Sequence, residues 1–215
     1  MYNGSITFLT GEIMREIRFD LLADPTKFEL ICLPCSCYQK KDGTIPAPTD
    51  GFLSQLAEKV PNLLADIGKQ VEKLGNCPSI VSSIPNTGTK FASFPVAPTS
   101  LRAENPDDYV YQRLKGEFKP FSLVPGWAIA PRSDMVEFAA IKLAEIIKYY
   151  KLTKVAIPFE MFTLDKEDQN DYTRIRNIMQ AKLGDEVFVV SRPLESAEGN
   201  ISSAVSSSVT YEEEE

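Results

Sequence analysis

No histidine occurs in the 215 residues. That absence removes Ser-His-Asp and Cys-His catalysis, histidine-ligated zinc and imidazole as a general acid or base. Apolar runs of the length that spans a bilayer, about eighteen residues, are also missing. Met1–Leu9 lacks the basic start and long apolar segment of a secretory leader, so a cytoplasmic protein with no membrane contact is expected. The four cysteines are not spread as a disulfide framework, because Cys32, Cys35 and Cys37 fall in one Cys-Leu-Pro-Cys-Ser-Cys stretch. Thiols at a strand end packed on the core are expected there, against a soft-metal site that would need Cys77 as its fourth ligand. Neither a bound metal nor a cofactor is expected. A net charge of -7 excludes a strongly basic surface for non-specific nucleic-acid binding.

A hydrophobic content of 43% over this length supports one substantial core. Residues 1–195 are read as a single domain. Residues 196–215 are Ser- and Glu-rich, hold five of the negative charges and are expected to be a disordered tail. Short β-rich runs alternate with helical periods, the pattern of an α/β sheet with crossover helices. Strands are expected at Ser5–Leu9, Phe28–Leu33, Phe91–Phe94, Trp127–Ala130, Val155–Ile157 and Glu186–Val190. A first helix starts near Asp50 and meets Pro61, which should kink or restart it before Leu63, Ile67 and Val71. A second starts at Ser133 and Asp134 and carries Val136, Ala140, Leu143 and Ile147 on one stripe. A third runs from about Asp168 to Leu183, with Gly184 as its stop. Residues 103–125 show no clean period and are read as an insertion or a peripheral strand pair.

Four expected strands run into proline, at Pro34, Pro95, Pro131 and Pro158, so each is expected to leave the sheet abruptly. Ligands of open α/β sheets bind outside the strand carboxyl ends. The loops Pro34–Asp50, Pro95–Leu101 and Pro158–Asp168 therefore become the place to look, with Arg102 and Arg132 the nearby cations suited to a phosphate fork.

At this point the residues resemble a family. Ile6-Thr7-Phe8-Leu9-Thr10-Gly11-Glu12-Ile13 is similar to the first strand and Gly-Asp-Ile signature of macrodomains. Asp50-Gly51-Phe52-Leu53, Glu58-Lys59-Val60-Pro61, Lys90–Pro95 and Val155-Ala156-Ile157-Pro158 resemble the branch of DNA- and glutamate-linked ADP-ribosyl hydrolases. The likeness runs in order from Met1 to about Pro193, apart from residues 103–125. It implies a three-layer α/β/α fold with a mixed central sheet and ADP-ribose or a related nucleotide as ligand. Contacts would come from Gly11, Glu12 (to the adenine amino group), Ile13, Cys35, Ser36, Gly51, Pro158, Phe159 and Phe162. In an enzyme of this branch, Lys59 would be the nucleophile and Asp165 the acid/base. Nucleic acid would enter only as a modified substrate.

The chain departs from that pattern where phosphates are held. Glycine runs let backbone N–H groups curl around a diphosphate. Here the first loop reads Thr44-Ile45-Pro46-Ala47-Pro48-Thr49-Asp50-Gly51, and the second reads Phe159-Glu160-Met161-Phe162-Thr163-Leu164 with no glycine. Three readings follow: a binding module for ADP-ribose or a related nucleotide, a hydrolase using Lys59 and Asp165, and a non-binding scaffold that contacts a protein partner.

Overall fold

The computed structural model describes residues 15–47, 51–159 and 169–192. The expected strand Ser5–Leu9 and the tail 196–215 lie outside them. Six strands form one sheet: β1 (Arg15–Arg18), β2 (Leu30–Ser36), β3 (Ser79–Ser83), β4 (Lys90–Ala97), β7 (Val155–Pro158) and β8 (Val187–Ser191). Their order is β1-β8-β7-β2-β4-β3, with β3 antiparallel to β4 and every other pairing parallel. The sheet is mixed, as expected.

Side-chain alternation builds a layer on each face. From β2, Leu30 and Cys32 join a core cluster with Phe94, Leu143, Ile147 and Met179, beneath α3 (Ser133–Tyr150) and α4 (Gln169–Lys182). Ile31, Leu33 and Cys35 join the opposite cluster with Phe52, Leu56, Leu63 and Ile67, beneath α1 (Phe52–Lys59) and α2 (Leu63–Leu74). Pro61 restarts the helix as expected, and Asn62 enters the left-handed region at φ 63° between the two pieces.

Two prolines act differently from the expectation. β2 continues through Pro34 to Ser36, and β4 continues through Pro95 to Ala97. The Leu30 N–H faces the Lys154 carbonyl on the β7 side, so by alternation the nitrogen of Pro34 faces that side too. Pairing there has already stopped at Ile31 and Ala156, and no donor is missed. The Lys90 N–H faces Glu29 on the β2 side, which points the nitrogen of Pro95 toward β3. That ladder ends at Ser93.

Other differences are local. Gly184 is outside the left-handed region, and α4 ends at Lys182 without that device. The expected strand Trp127–Ala130 is a 3-10 turn at Gly126–Ala128 followed by one bridge from Ile129 to Val110. The segment 103–125 is enclosed by an antiparallel pair, β5 (Ser100–Arg102) with β6 (Leu123–Pro125), and it packs through Val110 and Val124 against Ala97, Ala128 and Ile129. At the amino ends of β2 and β7, a Glu29 carboxylate oxygen accepts from Thr153 N–H (2.6 Å), Lys154 N–H (3.0 Å) and Thr153 Oγ1 (3.1 Å). The Thr153 N–H leads the set in holding that carboxyl below its ordinary range. Among the described residues, no helix is long and apolar enough to cross a membrane.

Candidate functional site

Parallel pairing brings the carboxyl ends of β1, β8, β7, β2 and β4 to one edge of the sheet. The loop after β2 is pinned to α2. Lys40 N–H donates to the Thr44 carbonyl (2.8 Å), and the Asp42 carboxylate accepts from Thr44 N–H (2.9 Å) and Oγ1 (2.7 Å), closing a turn around Gly43 at φ 80°. The Thr44 hydroxyl bond is the largest influence lowering the Asp42 pKa. Gln39 Nε2 donates to the Gly68 carbonyl, Ile45 N–H to that of Leu64 (3.3 Å), and the Ile45 side chain is buried.

On the other side, the ends of β2 and β4 are joined by backbone bonds. Cys37 N–H donates to the Ala97 carbonyl (2.8 Å), Thr99 Oγ1 to Cys37 (3.1 Å), Gly126 N–H to Thr99 (2.8 Å) and Arg132 N–H to Val96 (2.8 Å). Ser36, Tyr38, Trp127 and Phe159, which follow or flank these strand ends, are half-buried, Trp127 packing against the Ala97, Val110 and Val124 cluster. Arg132, whose fork could meet a phosphate, instead grips Asp134 through Nε (3.0 Å) and Nη2 (2.8 Å). This pairing raises the Arg132 pKa and lowers that of Asp134. Arg102 lies on β5, outside the six-stranded sheet.

The residues singled out from sequence separate into distinct environments. Cys35 is buried in the core cluster under α1 and α2, and desolvation pushes its thiol up to about 12. Cys37 sits in the same cluster, pushed by burial up to about 11, while Cys32 points to the opposite face of the sheet and is raised as well. The three thiols therefore do not converge, and no cluster among the described residues could hold a metal ion. Ser36 ends β2 at a register shift. Gly51 precedes α1 with φ -78° and ψ 161°, extended backbone that any residue adopts, and its carbonyl accepts from Ser54 Oγ (2.9 Å) and Gln55 N–H (3.2 Å). Pro158 is buried opposite Val190, and Phe159 packs against the α3/α4 cluster. Lys59, the last residue of α1, donates to the Leu22 carbonyl at 2.7 Å. Gly11, Glu12, Ile13, Phe162 and Asp165 lie outside the described residues. The sequence reading covered Tyr38 and Thr99 only as members of the loops Pro34–Asp50 and Pro95–Leu101, it missed Gly126, and it placed Trp127, the chain's only tryptophan, in a strand.

No family model matches the chain and no curated protein matches it by sequence. Solved structures do match. The macrodomain of Thermus aquaticus DarG superposes with a TM-score of 0.52 at 17% identity, covering 85% of this chain and 100% of its own. Thermosipho africanus DarTG, solved in complex with ADP-ribose, gives 0.51 at 15% identity, covering 91% of this chain and 45% of its own. The chain has the macrodomain fold. Likeness at this identity defines the architecture and leaves the branch open.

Proposed function

We propose that the crevice at the strand carboxyl ends binds ADP-ribose or a related nucleotide and does not turn it over. The observation that carries the reading is the rim itself: in a macrodomain fold, the ends of β2, β4 and β7 meet at one edge with Tyr38, Trp127 and Phe159 half-exposed there. Such rings offer faces for a base or ribose. Glu12 is proposed to accept the adenine amino group, with Gly11, Ile13, Ser36, Gly51, Pro158 and Phe162 completing the contacts and Cys35 supporting them from the core. Recognition is favoured over turnover because the Lys59 ammonium is already engaged by a backbone carbonyl. Phosphate binding is proposed to be weak, since Pro46 and Pro48 lack donors and Asp50 and Glu160 add negative charge where a diphosphate would lie.

A thermal-shift series with ADP-ribose, NAD, ATP and AMP tests the ligand class. A ligand bound only by the folded protein, at about a hundred times its dissociation constant, adds roughly 2.7 kcal/mol of stability. Nucleotides are expected to raise the melting temperature; an unchanged melting temperature with all four, up to millimolar concentration, contradicts the reading.

A further inference from the structure

The outer face of α3 carries large apolar side chains among its charges. Its buried stripe is Val136, Ala139, Ala140, Leu143 and Ile147. The opposite stripe, at three- and four-residue spacing, is Phe138, Ile141, Lys142, Glu145 and Tyr149, with Ile146 at its margin. Ile141 is 40% exposed and Tyr149 is 79% exposed, Phe138 is half-buried, and Ile146 is half-buried with part of its side chain packed against the core cluster beneath α3. The stripe continues into a hollow of about 230 Å³ where Ile146, Tyr149 and Tyr150 line the same space as Cys77 and Pro78. The exposed charges Asp134, Glu137 and Lys148 border this stripe, so its apolar part is a narrow band through Phe138, Ile141 and Tyr149.

The order of residues along the stripe says what fits it. Lys142 and Glu145 form the charged pair within it, bonded to each other within the chain at 2.9 Å. They lie symmetrically about a point between residues 143 and 144. So do Ile141 and Ile146, and so do Phe138 and Tyr149. A second copy of the helix, laid antiparallel across a two-fold axis through that point, meets the first with every pair matched. Phe138 of one copy faces Tyr149 of the other, Ile141 faces Ile146, and Lys142 faces Glu145. A two-fold interface requires this self-complementarity, in which residue i meets j and j meets i. The two ion pairs then lie side by side with opposite signs apposed, and association opposes no like charges at the centre.

We infer that this macrodomain forms a two-fold dimer through α3, with the Phe138–Tyr149 stripe as the contact. The carboxyl-end crevice is assembled from other segments, so dimerisation and ligand binding are separable. Mass measured by light scattering on the full chain over rising concentration tests it. The protein is expected to shift from monomer to dimer, and Ile141→Asp and Tyr149→Asp to remain monomeric with unchanged circular dichroism. Two further variants test the charge matching. Lys142→Glu alone and Glu145→Lys alone each place like charges together and should stay monomeric, whereas their mixture should form a heterodimer. A wild-type protein that stays monomeric at every concentration overturns the inference. So does a dimer that survives Ile141→Asp, or single charge variants that dimerise as the wild type does.

Discussion

Leu143→Ala is expected to lower the free energy of unfolding by about 2–5 kcal/mol, the range for removing a large aliphatic side chain from a packed core. Leu143 is 0% exposed and lies in the cluster joining α3 to β2, β4, β7 and α4. Neighbours drawn from a sheet and two helices collapse poorly into a cavity. Urea unfolding monitored by circular dichroism measures the change. A loss under about 1 kcal/mol would mean that the helix does not cover the sheet.

Gly126→Ala is expected to cost about 1–3 kcal/mol or more by overpacking, and to disturb ligand binding as well. A Cβ at this position would come within 2.0 Å of the Pro98 carbonyl oxygen, 2.9 Å of that of Thr99 and 3.0 Å of Tyr38 Cβ. Two of these neighbours are backbone and cannot rotate away, and all three belong to the rim that joins β2 to β4. The added methyl must therefore push the rim apart or displace the turn before α3. Gly184→Ala is the matched control, because the three atoms nearest its Cβ would all belong to the flexible carboxylate of Glu186. That variant should lie within about 0.5 kcal/mol of the wild type, as surface substitutions do. Equal losses for the two glycines would show that the close approach at Gly126 carries no energetic weight.

The elements that the sequence revealed are those whose burial is regular. The apolar run of β2 and the stripe Val136, Ala140, Leu143 and Ile147 of α3 have clear periods because each faces a core along its length. β3 was missed because three of its five residues are serine: as an edge strand, antiparallel and only half-buried, it has no need of an apolar pattern. Pro34 and Pro95 were read as strand ends because a proline removes a donor, but each donor would have pointed to a side on which strand pairing had already ended. Whether a ladder is missing a partner is settled by registry, which the local sequence does not contain.

The edge where a site is proposed was legible in the sequence, and the residues that gather there less so. Proline-terminated strands in an α/β pattern pointed to the carboxyl edge, and Pro158 and Phe159 lie there. Cys35 belongs to the core because strand alternation turns it under α1, and Lys59 serves the loop after β1. The residues Tyr38, Thr99, Gly126 and Trp127 come from segments with no shared period, and hydrogen bonds from the Cys37 and Gly126 N–H groups and the Thr99 hydroxyl tie those segments together. Two glycines with a demanding role, Gly43 and Gly68, were not singled out in the sequence. The turn at Gly43 uses its left-handed φ to press the carbonyl onto Gly68, where a Cβ would come within 2.0 Å, so this glycine fixes the loop to α2.

Isothermal titration calorimetry with ADP-ribose and with adenosine tests the central claim directly. If base and ribose provide most of the affinity at a rim without a glycine cradle, the two ligands should bind within about tenfold of each other, roughly 1.4 kcal/mol. An advantage of about a thousandfold for ADP-ribose, near 4 kcal/mol, would show a working phosphate site and contradict the account.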